Sequence, residues 1–266
     1  MVNSPMSSSA LIDAAPLLYG KRGNVIWEDA MKLIGLISPN TTDDTLVDVY
    51  KIFPKDIRIE GRTLTVSKYT DDEFHRAELS FLDLVRDLAR LPLDFLMVTG
   101  ELFLSYKGPG SDKEILKLVQ GVTRTPASTV LTAVSRGCQR LGLKRVVMAS
   151  PFPEDQDERL VKFLAHDGIE VVAFHGLGCP NANVIWELPP ETGYELSMKL
   201  LREHPEVDGV YMPCNKWRTA SVIERIERES EKPVVTNTQA WTWEALRHMG
   251  MKNPVPGFGR LLREID

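Results

Sequence analysis

The chain repeats itself. Ile34-Gly35-Leu36-Ile37-Ser38-Pro39 returns as Val146-Val147-Met148-Ala149-Ser150-Pro151, each an apolar run of strand type ending in Ser-Pro. The run from Leu93 to Gly100, LDFLMVTG, returns as Val207 to Cys214, VDGVYMPC. Pro126-Ala127-Ser128-Thr129, with Ala133 seven positions after the proline, returns as Pro233-Val234-Val235-Thr236, with Ala240 at the same distance. One such echo means little, because the strands of α/β proteins share a small vocabulary. Three in the same order, at a nearly constant offset, require two homologous halves.

Short apolar runs alternate with amphipathic stretches of helical length from Lys32 onward, the order expected of βαβ units around parallel sheets. Strands are read at KLIGLIS, LTVS, DFLMVTG, ASTV, RVVMAS, EVVAFHG, GVYMPC and PVVTNT. Helices are read over residues 71–91, 131–143, 154–168, 192–204, 218–230 and 240–250, several ending at a glycine or a basic turn. The expected fold is α/β, with two flavodoxin-like, Rossmann-like lobes whose parallel sheets are related by a pseudo-two-fold axis. The boundaries read are an N-terminal arm over 1–31, a first lobe over 32–143 completed by 237–266, and a second lobe over 144–236. Open parallel sheets bind ligands beyond the carboxyl ends of their strands, so the active site is expected in the cleft between the lobes.

Composition narrows what that cleft can hold. The chain carries 32 Lys and Arg against 37 Asp and Glu, a formal net charge of -5, which gives no basic surface for nucleic acid. A small anion must therefore be held by local geometry. No apolar run approaches the roughly 20 residues that span a bilayer, and residues 1–30 lack the basic-then-apolar order of a signal peptide. The expectation is a cytoplasmic protein with no membrane partner. Cys138, Cys179 and Cys214 are odd in number and too widely spaced for a metal clip, so reduced thiols and no structural metal are expected. The arm carries the apolar patches ALIDAAPLLYG and VIWEDA, suited to dock on the body or on a second subunit, which makes a homo-oligomer the expected assembly.

Cys214 is the leading chemical candidate. It closes the strand GVYMP and precedes Asn215, Lys216, Trp217, Arg218 and a helix read to begin near Thr219. A thiol at a helix N-terminus has its thiolate stabilised and its pKa drawn down, fitting it for acid, base or nucleophile; the competing reading is an ordinary core cysteine. Thr129 and Thr236, at paired strand ends, are either carboxylate donors or ordinary strand threonines. Lys216, Trp217 and Arg218 are read either as an anion site or as a subunit contact. The five histidines show no metal spacing and no pairing with a nucleophile. Gly108-Pro109-Gly110 is a turn suited to a flap, and IERIERESEK is a solvated helix face.

The stretch DGVYMPCNKWRTASVIERIERESEKPVVTNTQAWTWEALRHMG resembles the second lobe of the maleate isomerase and arylmalonate decarboxylase branch of the aspartate/glutamate racemase superfamily. The likeness extends back through KLIGLISPNTT, LMVTGELFLSYKG and TPASTVLTAVSRGCQRLGLKRVVMASPFPEDQDERLVKFL, and forward to GFGRLL, covering Lys32 to Leu262. It implies a cofactor-independent enzyme of a small carboxylate or dicarboxylate, with Cys214 as the proton-handling thiol. Relatives that racemise or isomerise carry one cysteine per lobe, and Gly100 stands here in place of the first. The decarboxylases share that glycine and keep only the second-lobe thiol. Two-base racemisation needs a donor on each face, so one thiol favours one-sided protonation of an enediolate. Decarboxylation therefore ranks first, maleate cis-trans isomerisation second, amino-acid or hydantoin racemisation third, and a carboxylate-binding protein without catalysis last.

The resemblance also assigns positions. Glu101 stands where the decarboxylases place hydroxyl residues; it is either an extra acid raised by burial or an outward-facing side chain. Phe152 stands where both relatives carry a tyrosine. Asn40, in Pro39-Asn40-Thr41-Thr42, matches an asparagine that holds a substrate carboxylate in maleate isomerases, and Asn181 matches a second, with Asn183 as its alternative. The backbone N–H groups of Cys214 and Asn215 are expected to cradle an oxyanion.

Overall fold

The computed structural model describes residues 31–40, 42–263 and 265. The expected N-terminal arm, apart from Met31, lies outside them, and so does the subunit contact read into it. Eight strands form two parallel four-stranded sheets. The first holds β1 (Lys32–Ser38), β2 (Ile57–Thr63), β3 (Phe95–Val98) and β4 (Ala127–Thr129) in the order β2-β1-β3-β4; the second holds β5 (Arg145–Ser150), β6 (Glu170–Gly176), β7 (Gly209–Met212) and β8 (Val234–Thr236) in the order β6-β5-β7-β8. The two orders are the same path through each half. Each echo falls on one equivalence: β1 with β5, β3 with β7, β4 with β8.

Burial explains which strands the sequence displays. Parallel strands paired on both sides are covered on both faces and become nearly continuous apolar runs, as in β3 and β7, where every residue is buried. The edge strand β2, IRIEGRT, has one buried residue. Its mixed pattern hid it, and the second strand was placed at LTVS. That stretch instead runs on from β2 as a loop, pinned to the end of β1 by Leu64 N–H to Ser38 O (2.9 Å) and Val66 N–H to Pro39 O (2.7 Å).

Helices α1 (Thr42–Ile52), α2 (Asp71–Leu88), α3 (Glu101–Ser105), α4 (Ser111–Gln120) and α5 (Val130–Arg140) accompany the first sheet. Helices α6 (Glu154–His166), α7 (Ala182–Glu187), α8 (Pro190–Glu203) and α9 (Ile223–Ser230) accompany the second, and α10 (Asn237–His248) and α11 (Arg260–Arg263) close the chain. In α2, Phe74, Ala77, Phe81, Val85 and Leu88 recur at helical spacing and are the buried residues. Thr70 caps its start, Asp71, Asp72 and Glu73 face the positive end of its dipole, and Arg86 lies in the last turn. Truncating the fully buried Phe81 to Ala would cost about 3–5 kcal/mol. The Gly108-Pro109-Gly110 turn ends in Gly110, the N-cap of α4, which with α1, α3, α7 and α11 is a helix absent from the sequence expectations.

The two halves are tied where the strand ends meet. Helix α10 leaves β8 and packs against α5 and α1 of the first half, and Trp241 meets Phe53 edge-on (5.3 Å, 75°). Helix α3 packs against α6. Asp48 of α1, itself buried, accepts from Ala220 N–H (3.1 Å) in the loop after β7, and Arg159 pairs with Asp71 at 2.5 Å. Among the described residues no helix is long and apolar enough to cross a membrane.

Candidate active site

Strands β3 and β7 end at matching points, and the residues just beyond them, Thr99-Gly100-Glu101 and Cys214-Asn215-Lys216, line one cleft. Ser38, Pro39 and Asn40 from the end of β1, Phe152 from the end of β5, and Val66, Tyr69 and Phe74 complete it, around about 450 Å³ of space open to solvent. The structure thus brings together Asn40, Gly100, Glu101, Phe152, Cys214 and Asn215. It does not bring Thr129, Thr236 or Asn181 to the lining.

Those three serve helix starts instead. Strands β4 and β8 run straight into α5 and α10, whose first N–H groups need acceptors. The Thr129 hydroxyl accepts from Thr132 N–H (3.1 Å), and the Thr236 hydroxyl from Gln239 N–H (3.1 Å) in a reciprocal capping box. Asn181 caps α7 by accepting from Asn183 N–H (3.0 Å) and Val184 N–H (3.2 Å), while Asn183 itself is exposed.

Gly100 and Cys214 share a backbone conformation. Both lie in the left-handed region, with φ 98° and 81°. At Gly100 a Cβ would sit 2.7 Å from Pro39 Cγ and 2.8 Å from its Cδ, so no side chain fits without displacing the proline ring. Cys214 pays strain of about 1–3 kcal/mol to hold a thiol in that geometry, a cost typical of functional positions. Its loop is anchored residue by residue. Trp217 is buried and donates Nε1 to the Thr192 hydroxyl (3.1 Å), Thr219 N–H reaches Trp217 O (2.7 Å), and the Thr238 hydroxyl donates to Asn215 Oδ1 (3.3 Å).

The thiol is 8% exposed, and burial followed by the Glu101 carboxylate pushes its pKa well above the ordinary thiol range. The backbone N–H groups of Lys216 and Trp217 and the Lys216 charge oppose that rise without cancelling it. This reverses the expected dipole effect. No α-helix begins beside the sulfur: a 3-10 turn spans Ala220–Val222, and α9 starts only at Ile223. Cys214 is therefore held as a protonated thiol at neutral pH.

Glu101 turns inward. It opens α3 at 3% exposure, and its carboxyl accepts from its own N–H and from Cys214 N–H. Burial pushes its pKa up to about 7 despite those donors and the neighbouring Asn237. Asn237 Oδ1 accepts from the Tyr211 hydroxyl (2.8 Å), which leaves its Nδ2 as the group turned to the Glu101 carboxyl. The carboxyl thus occupies half of the expected oxyanion cradle, because a buried carboxylate must find donors and Cys214 N–H is within reach.

Phe152 is buried at the wall of the cleft, its N–H donating to the Ser150 hydroxyl (3.0 Å), which in turn donates to Asp157 (2.5 Å). Two cleft residues carry more than the sequence reading gave them. Lys216, weighed as an anion site or a subunit contact, is 3% exposed and lines the cleft; its position two residues after the thiol is the signal for the first. Tyr69 arrives from the loop after the edge strand β2 and packs edge-on against Phe152 (centroids 5.7 Å apart, 86°). Nothing local in the sequence marks it.

Comparison with known proteins agrees with this geometry. The family model for arylmalonate decarboxylase matches residues 34–262. Arylmalonate decarboxylase of Bordetella bronchiseptica is 26% identical over 232 residues, covering 87% of this chain and 96% of the relative. Maleate isomerase of Pseudomonas putida is 25% identical over 244 residues, covering 86% and 96%. Among solved structures, a mutant arylmalonate decarboxylase in the liganded form superposes with a TM-score of 0.82 at 24% identity, over 87% of this chain and 98% of the other. Nocardia farcinica maleate cis-trans isomerase bound to TRIS superposes with a TM-score of 0.77 at 20% identity, over 87% and 98%. The chain, built on the two-lobed α/β fold and carrying a cysteine at the end of β7, belongs to the arylmalonate decarboxylase family.

Proposed function

We propose that the chain is a cofactor-independent decarboxylase of a small malonate-type carboxylate, with Cys214 as its proton donor. The bond between the α-carbon and one carboxylate breaks, carbon dioxide leaves, and the electron pair stays behind as an enediolate on the retained carboxylate. The Cys214 Sγ–H bond then breaks as the proton passes to the α-carbon, and the resulting thiolate regains a proton from water. The observation that carries this reading is geometric: one buried thiol, Cys214, lines the cleft, and a glycine stands at the matching strand end. A general acid must hold its proton until the carbanion forms.

The other cleft groups take roles that fit their chemistry. Glu101, neutral below about pH 7, donates its carboxyl proton in a hydrogen bond to a substrate carboxylate, the task left by the missing hydroxyl residues. Lys216, itself buried, supplies a positive charge at the cleft wall, where it attracts an anion more strongly than an exposed lysine would. Asn40 and Asn215 offer amide donors from the two halves. Addition of Cys214 to a double bond, as in the isomerase reading, would need the thiolate that this environment opposes.

A second reading rests on Glu101 itself. A carboxyl with pKa near 7 beside a thiol makes a second acid–base group, able to exchange an α-proton without loss of carbon dioxide. Both readings are tested by incubating the full chain with phenylmalonate, phenylacetate and maleate in deuterated buffer. Decarboxylation predicts carbon dioxide from phenylmalonate and a fall in turnover of about 10³-fold in Cys214→Ala. Exchange into phenylacetate without carbon dioxide from phenylmalonate would replace it with the second reading. Full turnover by Cys214→Ala would end the first.

A further inference from the structure

We propose that the Tyr69 hydroxyl binds and polarises the substrate carboxylate, taking from the first half the part that Phe152 cannot play from the second. The proposal rests on the reading that this cleft holds a carboxylate. Tyr69 lines the cleft with Glu101 and Cys214, and its ring stands edge-on to Phe152. A phenol is thus brought beside the phenylalanine that lacks one.

Its hydroxyl is unengaged, unlike those of its counterparts. Tyr106 donates to Glu78 (2.6 Å), Tyr194 to Glu229 (2.5 Å) and Tyr211 to Asn237 (2.8 Å). Tyr69 has no hydrogen-bond partner among the described residues. Tyr69 is partly buried and its hydroxyl reaches the solvent of the cleft, so a carboxylate entering there can accept its proton in place of water. Of the lining, Val66, Phe74, Leu102, Phe103 and Phe152 offer side chains that cannot accept, while Asn40 and Glu101 can but are not hydrogen-bonded to the Tyr69 hydroxyl. Burial, then Cys214, Glu101 and Cys179, drives the phenol pKa far upward, so it remains a donor throughout the working pH range.

The segment that presents Tyr69 is fixed from both sides. Val66 N–H is bonded to Pro39 O (2.7 Å), next to Asn40. Ser67 donates its N–H and hydroxyl to Glu73 (2.9 and 3.0 Å), Arg76 reaches Thr65 O (2.7 Å), and Thr70 caps α2. Thr65 sits at φ 55°, a conformation that a β-branched residue adopts only under constraint. A pre-set donor of this kind stabilises developing charge without reorganising during the reaction.

The test uses Tyr69→Phe, which keeps the ring against Phe152, together with Tyr69→Phe/Phe152→Tyr. Calorimetric titration with phenylacetate reads binding, and carbon dioxide release from phenylmalonate reads turnover. The expected result for Tyr69→Phe is phenylacetate binding weaker by about tenfold and kcat/KM lower by about ten- to hundredfold, at an unchanged melting temperature. The double variant should regain part of both losses. Equal binding and turnover, within twofold of the wild type, would overturn the proposal while leaving the decarboxylase reading intact. Tyr69-dependent binding by a chain that releases no carbon dioxide would uphold the proposal and sink that reading. A wild-type chain that neither binds nor turns over would sink both.

Discussion

The ends of β3 and β7 are the same place in two copies of one fold, and they have diverged in opposite directions. Both turn through a left-handed residue into the cleft. At β7 that residue is a cysteine, strained and clamped by the loop that follows. At β3 it is a glycine pressed against Pro39, and the functional group has moved one residue on, to Glu101 at the start of α3. The duplicated backbone therefore preserves a direction of approach while each half chooses its own acid. Duplication did not yield two equal bases. It yielded a thiol and a carboxyl: the carboxyl accepts from the Cys214 N–H, and its charge adds to the burial that raises the thiol's pKa.

Substitutions at the two ends can break or sharpen that contrast. The largest effect is expected at Gly100→Ala. The added methyl meets the Pro39 ring and must sit at φ 98°, and the two penalties together predict a loss of about 3–4 kcal/mol in urea unfolding. A neutral outcome would mean that the glycine is not what bars a side chain from this end. Glu101→Gln comes next. Burial raises the folded-state pKa from 4.5 to about 7, so the folded chain holds a proton that the unfolded chain releases between those values. Stability should fall as pH rises from about 4.5 to about 7 and level off above, a swing of about 3 kcal/mol. Glu101→Gln should remove its share of the difference in unfolding free energy between pH 5 and pH 8, leaving a similar share from Asp157, whose pKa burial also pushes up to about 7. An unchanged difference would show that the carboxyl ionises freely.

Much of this was legible in the sequence, and for a physical reason. Strands buried on both faces are forced into apolar runs, so β1, β3, β5 and β7 and their echo could be read directly. The carboxyl ends of those runs point to Gly100 and Cys214, and the family resemblance adds Glu101 and Phe152. Edge strand β2 carries no such constraint and was placed seven residues late. Thr129 and Thr236 were rightly paired by the repeat, but the pairing reflects two helices that start in the same way and need the same cap. The direction of Glu101 and the arrival of Tyr69 are tertiary facts. Burial of α3 against α6 sets the first, and the pinned loop after β2 sets the second. The thiol pKa was misjudged because the helix assumed to start near Thr219 starts at Ile223, leaving burial to dominate.

The central claim is that one thiol delivers the proton, from one side. The most direct measurement is the enantiomeric composition of the 2-phenylpropionate formed from prochiral 2-methyl-2-phenylmalonate by the wild-type chain. A single donor at Cys214 predicts one enantiomer in large excess. Equal amounts of both would contradict it, and would place a second proton donor, with Glu101 the first to examine, at the other strand end.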